Sequence, residues 1–413
     1  MREKVSTSST LVCDTSEAGW QMTNGPNGSD TSYFDYNATA PIRPEALAAV
    51  VEAMQSVGNA SSMHPPGRQA AHRVDVARRQ VADLLGCSPG EIIFTSGATE
   101  ANNLALRAAF TAGKPLVTSP VEHPAVLETA RAVTAESPED LALLPVGGDG
   151  LVDLDALDQV LAARPGGVVS LMAANNETGV LTNLRVAAKT AREAGALLHT
   201  DATQIIGRLP ADVAEFDVDL LSLSAHKFGG PQGVGALYVR RGTPLPHRPL
   251  LVGGGQERGW RAGTLNVAGI IGMGAAAEAA SRGLGEEAER VAALRDRLEH
   301  LVTGALPECR INGRRDQRLP GVTSFTFPGV PADALLAAMP DVAASEGSAC
   351  ASGAPTPSHV LLAMGLSRAD ADSTIRFSLG YATTDAEIEY AAQAVKRAVA
   401  QVRAALAEAD GPR

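Results

Sequence analysis

Residues Ser222 to Tyr238 read Ser-Leu-Ser-Ala-His-Lys-Phe-Gly-Gly-Pro-Gln-Gly-Val-Gly-Ala-Leu-Tyr, with Lys227 where an apolar run gives way to a glycine-rich turn. A hemmed-in lysine amine loses its proton well below its solution pKa, and only the neutral amine forms a Schiff base. A surface lysine in a hairpin loop carries the same letters, so Lys227 alone leaves both readings open. Ser96-Gly97-Ala98-Thr99-Glu100 opens a helix with small residues, as an anion cradle of main-chain N–H groups or as an ordinary N-cap. Asp201 ends the run Leu197-Leu198-His199-Thr200, either as an edge carboxylate needing a cationic partner or as a helix cap. His123, before Pro124, and Asn176, in Asn175-Asn176-Glu177-Thr178-Gly179, also fit plain turns. Cys350 lies between Gly347-Ser348-Ala349 and Ala351-Ser352-Gly353. A free thiol is commonly a small core residue, but such neighbours make poor core and suit a loop that reaches and presents.

These residues need a frame. Apolar runs at Glu91–Thr95, Pro115–Ser119, Leu141–Pro145, Gly167–Ala174, Ala196–Thr200, Leu220–Ser224 and Gly235–Arg240 predict seven strands. Helical periodicity over Glu100–Ala112, Pro124–Val133, Leu154–Ala163 and Leu184–Ala194 predicts the crossovers between them. The alternation predicts an α/β fold, a mostly parallel sheet with helices on both faces. Such sheets gather ligands at the carboxyl ends of their strands. Gly97-Ala98-Thr99, His123, Asn176, Asp201 and Lys227 all fall there. A pyridoxal phosphate site needs a Schiff-base lysine, an acid against the ring nitrogen, an anion cradle and a flat group on the ring. Asp201 precedes Lys227 by 26 residues, one strand–helix–strand step, which puts the two on neighbouring strand ends.

Bulk composition narrows the class. The chain has 413 residues, 45% hydrophobic and 20% charged, as in an ordinary globular protein of two or three domains. A net charge of −11 argues against a general nucleic-acid surface, and no direct nucleic-acid binding is expected. No apolar run reaches the length of a membrane span. Residues 1–31, rich in Ser, Thr, Asn and Gly, read as a disordered extension without a secretory signal. Cys13, Cys87, Cys309 and Cys350 lack metal-site spacing and are too few for a disulfide scaffold, which fits a reducing cytosol.

Six segments together resemble one family. Asn175-Asn176-Glu177-Thr178-Gly179, Thr200-Asp201-Ala202-Thr203-Gln204, Ser224-Ala225-His226-Lys227, Gly253-Gly254-Gly255-Gln256-Glu257-Arg258-Gly259, Arg261-Ala262-Gly263-Thr264 and Gly347 to Gly353 are similar to those of the cysteine desulfurases. These are fold-type I, class V aminotransferase-like enzymes that use pyridoxal phosphate, and the likeness runs in order from Tyr33 to the late 390s. The resemblance implies a large cofactor domain over 32–265, with its first segment packing on a smaller α+β domain over 266–413 that carries the thiol loop. It implies that Lys227 bears the cofactor and Asp201 pairs with the ring nitrogen. Gln204 and Asn176 would bond the ring oxygen and the substrate end, while His123 stacks on the ring and exchanges protons. Ala98, Thr99, Ser224 and His226 would cradle the phosphate, with Thr264 coming from the second subunit of a homodimer. Arg376 would clamp the substrate carboxylate through a bidentate contact; a strand arginine paired at the surface is the other reading.

Cys350 separates a desulfurase from a transaminase, which needs no thiol. The resemblance implies that L-cysteine yields L-alanine and a persulfide on Cys350, later passed to an acceptor protein. The separation of 26 positions from Cys350 to Arg376 resembles the long-loop group, which serves iron–sulfur assembly and thiolation. Ala40 and Arg208 replace a commoner Thr and Lys, and Arg208 is expected at the surface. An aminotransferase or selenocysteine lyase, or a non-enzymatic scaffold of the same fold, are the competing readings. Bound cofactor would make the protein yellow and an empty scaffold would be colourless.

Overall fold

The structure, a computed structural model, describes residues 31–346 and 357–409. Cys350 and residues 1–30 of the expected extension lie outside the described residues. The chain enters through a short strand, β1 (Ser32–Tyr33), and helices α1 (Pro44–Met54) and α2 (Pro65–Leu85). Seven strands then build the central sheet: β2 (Ile92–Thr95), β3 (Leu116–Thr118), β4 (Leu141–Leu143), β5 (Val168–Ser170), β6 (Leu197–Asp201), β7 (Leu220–Ser224) and β8 (Gly235–Val239). Between them run α3 (Ala98–Ala109), α4 (Pro124–Val133), α5 (Leu154–Ala163), α6 (Leu184–Glu193) and the single turn α7 (Val213–Phe216). The order across the sheet is β2-β8-β7-β6-β5-β3-β4, parallel except for β8, which runs against both of its neighbours. Each strand falls within a segment expected to be one, except that β6 runs one residue past its expected end, to Asp201. The run Gly167–Ala174 is paired as a strand only over β5. Beyond it, the Leu171 and Ala173 N–H groups still donate to the carbonyls of His199 and Asp201, so this stretch accompanies β6 to the sheet's end.

Alternate residues serve opposite faces, and both faces are apolar. Ile93, Leu116, Val168, Leu220 and Leu237 pack under α3 and α4. Phe94, Val117, Val169, Leu198, Leu221 and Ala236 pack with α2, α5 and α6 on the other side. That is why these strands read as nearly continuous hydrophobic runs. On the α3 face the character changes along each strand, from Leu220 to Ser222 to Ser224, and from Leu197 to His199 to Asp201. The sheet is thus oily at its amino end and polar where the site lies.

Helix α8 (Val267–Ser281) buries Ile270, Met273, Ala276 and Ala277 in the core around α2, so that core continues past residue 265. The long α9 (Leu284–Ala305) leads to a second, antiparallel sheet made of β9 (Arg310–Ile311) and β10 (Val322–Thr326), followed by α10 (Ala332–Ala337) and β11 (Val342–Ala343). β12 (Ser345–Glu346), α11 (His359–Ala363), α12 (Arg368–Ala371), β13 (Thr374–Ser378) and α13 (Asp385–Ala409) complete it. Its order is β12-β13-β10-β9, and Phe34, Phe325, Phe327 and Phe377 fill a separate core against α9 and α13. β1 pairs with β11 as a separate two-stranded parallel sheet. The Tyr36 N–H then donates to the Ser378 carbonyl of β13 and the Ala40 N–H to the His226 carbonyl beyond β7, so this segment runs from the small sheet to the large one. Among the described residues, no helix is long and apolar enough to cross a membrane.

Candidate active site

Ala98, Thr99, His123, Asn176, Asp201, Gln204, Ser224, His226, Lys227 and Arg376 line one cavity of about 420 Å³ at the carboxyl end of the large sheet. Thr264 is exposed and lies outside the cavity of its own chain. Two ties hold its loop. The Glu257 carboxylate takes both Arg78 nitrogens, at 2.5 and 2.9 Å, and the Phe94 N–H at 2.8 Å. Arg261 donates to Glu100 at 2.9 Å, in the first turn of α3.

Lys227 follows directly from β7, and its Nζ donates to the main-chain oxygens of Asn37 at 2.5 Å and Ala38 at 2.8 Å. Beside it, the His226 ring shares a hydrogen bond with Thr39 Oγ1 at 3.2 Å. Burial and the adjacent Lys227 charge lower the His226 pKa to about 4, so the ring is neutral. Asp201 ends β6 and accepts from Asn102 Nδ2 at 2.7 Å and from the Thr203 N–H at 3.0 Å. His123 caps α4, and its Nδ1 accepts the Ala125 N–H at 3.0 Å, leaving Nε2 to carry the proton of the neutral ring. Burial, with Lys227 and His359 nearby, depresses its pKa against the pull of Asp201.

Helix α3 starts at Gly97 (φ 157°, ψ 179°, a region essentially reserved for glycine), and no side chain caps its first turn. The first N–H groups of a helix have no partner within it and favour an anion. Ser224 Oγ lies 3.7 Å from where a Cβ on Gly97 would stand, and His226 lines the same cavity. On another wall, Arg376 in β13 gives Nη1 to the Asn176 carbonyl at 2.9 Å and Nη2 to Asp35 Oδ1 at 2.6 Å. It is buried, not paired at the surface.

The lining fits pyridoxal phosphate. Asn102 Oδ1, Asn176 Oδ1, Thr203 Oγ1, Gln204 Oε1 and Arg376 Nε all belong to lining residues and are buried without a protein partner. Buried polar atoms are rarely left so, and five around one cavity call for a polar ligand. The uncapped helix would supply the anion cradle, Asp201 the acid and Lys227 the amine.

Arg208 departs from expectation. It is half-buried and donates to Asn37 Oδ1 and, at 2.9 Å, to the Tyr36 carbonyl. Burial lowers its pKa to about 10. Asn37, Asn102 and Glu122 were not singled out from the sequence. A buried mid-helix asparagine among Ala and Leu, poorly suited to a helix interior, is the signal that marks Asn102.

Two buried carboxyls flank the site. Glu122 accepts from Ser119 Oγ at 3.0 Å and the Met172 N–H at 2.9 Å, and burial pushes its pKa up to about 8. Glu177, bonded by Ser358 Oγ at 2.5 Å, is raised by burial to about 7, against the Ser358 bond and the Arg376 charge. For Glu122, the unfolded chain ionises near 4.5 and the folded chain near 8, so the folded state holds the extra proton between them. Its contribution is complete at lower pH and is lost as pH rises across that window. Glu122→Gln should flatten the fall of Tm with pH there. An unchanged slope would mean that Glu122 is already charged in the native protein.

The class-V aminotransferase model matches residues 32–391. A cysteine desulfurase named IscS from Histophilus somni is 44% identical over 379 residues, 90% of this chain and 93% of that protein. A solved structure titled NifS-like protein superimposes with a TM-score of 0.83 at 35% identity, covering 90% of this chain and 99% of that one. Another, titled SspA in complex with cysteine, gives 0.72 at 33% identity over 85% and 99%. With the lysine, carboxylate and helix cradle meeting in one cavity, these likenesses settle the family: the chain belongs to the cysteine desulfurases, pyridoxal phosphate enzymes of the class-V aminotransferase group.

Proposed function

We propose that this chain converts L-cysteine to L-alanine and passes the sulfur, by way of a persulfide on Cys350, to an acceptor protein of iron–sulfur assembly or of tRNA or DNA thiolation. The observation that carries the reading is the convergence of Lys227, Asp201, the uncapped α3 terminus and Arg376 on one cavity. Lys227 would hold the cofactor, Asp201 would face its ring nitrogen, and His123 would lie against the ring. Gln204 and Asn176 would bond its ring oxygen and the substrate end. Ala98, Thr99, Ser224 and His226 would hold its phosphate. Thr264 of a second subunit would join them, and the exposed Met63 and Val252 support a homodimer by offering apolar surface to another copy. The proposed setting is the cytoplasm, where thiols stay reduced.

When bound, the cofactor supplies an electron sink for the pair left at the substrate Cα. Lys227 Nζ removes the Cα proton, and Arg376 with Asn176 orients the carboxylate. The Cys350 thiolate then attacks the substrate sulfur. The new S–S bond forms as the Cβ–S bond breaks, the bonding pair stays with carbon, and a proton completes the methyl group of alanine. No outside oxidant enters. The described flanks of residues 347–356 support this role. Ser345 pairs with Arg376 across β12 and β13, and Ser358 is bonded to Glu177, next to Asn176.

Asp201→Asn tests the assignment. Replacing the carboxylate should slow Cα proton removal by about 10²-fold or more, the scale on which preorganised electrostatics act. Solvent deuterium entering alanine at Cα reports this step. An undiminished rate would assign the ring nitrogen to another group.

A further inference from the structure

Asn37 is 1% exposed, and each of its polar atoms has a protein partner. Its N–H donates to Ser378 Oγ at 2.9 Å and its Nδ2 to the Asn176 carbonyl at 2.8 Å. Its Oδ1 accepts from Arg208 Nη1, and its main-chain oxygen accepts from Gln204 Nε2 at 3.0 Å and Lys227 Nζ at 2.5 Å. The next carbonyl, that of Ala38, also receives Lys227 at 2.8 Å. Arg208 forks, with its other terminal nitrogen on the Tyr36 carbonyl at 2.9 Å. The peptide groups before and after Asn37 are therefore clamped from both sides. The Asn176 carbonyl takes Arg376 as well, at 2.9 Å, so one acceptor links this strap to the arginine on the far wall.

We propose that Asn37 and Arg208 are a positioning pair for Lys227. They lock the Asn37 and Ala38 carbonyls into a berth that receives the amine whenever it is not joined to the cofactor, so that proton removal starts from a fixed point. The inference deepens the proposed function and rests on its assignment of Lys227. A charged donor between two carbonyl oxygens is held by strong hydrogen bonds. The berth is only as rigid as the strap, and the strap is fixed through the Asn37 side chain. A lysine at 208 would be a single point charge unable to span both acceptors in the fixed fork of a guanidinium.

The test uses the full-length protein freed of cofactor. Brief acetylation with acetic anhydride, read by peptide mass spectrometry, gives the reactivity of Lys227 relative to the exposed Lys189. Asn37→Ala and Arg208→Met should each raise relative labelling of Lys227 about tenfold, the factor carried by one hydrogen bond to a charged group. In the loaded enzymes kcat should fall about tenfold or more, with KM for cysteine changing less, because a slightly misplaced base costs chemistry more than binding. Arg208→Lys should fall between wild type and Arg208→Met. If the variants fold, with wild-type circular dichroism, and leave both labelling and kcat unchanged, the proposal is overturned. Should Asn37→Ala not fold, Arg208→Met decides alone. The underlying assignment has its own control, since loading wild type with cofactor must protect Lys227 from acetylation. Labelling that persists in the loaded wild type would refute the lysine's role whatever the variants do.

Discussion

Lys227→Ala should purify without a covalently bound chromophore and turn over cysteine at least about 10⁴-fold more slowly than the wild type. The variant loses two functions at once. On the proposed assignment no amine remains to bear the cofactor, and no base stands at the substrate Cα, a role worth roughly 10²–10⁴-fold alone. The Asn37 and Ala38 carbonyls also lose the Nζ donor they share. Alanine release measures the rate. Borohydride reduction followed by mass analysis measures the attachment, marking the peptide that contains residue 227 in wild type and no peptide in the variant. A variant that stays yellow after reduction and dialysis, with the label on another lysine, would relocate the active amine.

Cys350→Ser should separate binding from sulfur transfer. The chromophore and its spectral response to added cysteine should be as in wild type, because the described residues that line the cavity are untouched. Persulfide formation and alanine release should fall to background, since a serine hydroxyl at neutral pH is neither ionised nor soft enough to attack sulfur. A mass increase of one sulfur atom on the peptide carrying Cys350, present in wild type after cysteine and absent in the variant, is the direct readout. Sustained alanine production by the variant would pass the thiol role to another residue. The described alternatives are poor ones, because burial pushes the pKa values of both Cys87 and Cys309 up to about 12.

The residues at strand ends were legible because the sheet imposes them. An apolar run covered on both faces must stop where its side chains meet the ligand, so Asp201 and Lys227 announce themselves as the first carboxylate after Leu198 and the first lysine after Leu223. Asn37 and Arg208 give no such signal. Asn37 lies in a short polar stretch far from any strand of the large sheet, and its importance arises from contacts 139 to 341 residues away in sequence. Arg208 looked like a surface cation because it follows the turn at Gly207 and precedes Leu209-Pro210. What buries it is the strap from residues 35 to 40, which returns across the site only in three dimensions. Local pattern carries the strands and the chemistry at their ends, and long-range closure carries the rest.

The same closure governs how the enzyme comes into being. Synthesis delivers the strap early, yet Asn37 cannot settle until Ser378, the last residue of the last described strand, has left the ribosome. A nascent chain holding only the large sheet would own Lys227 without the strap anchored through Asn37 to Ser378. Competence to bind and use cofactor should therefore arrive late and abruptly, on release of the finished polypeptide, and not grow gradually as each strand emerges.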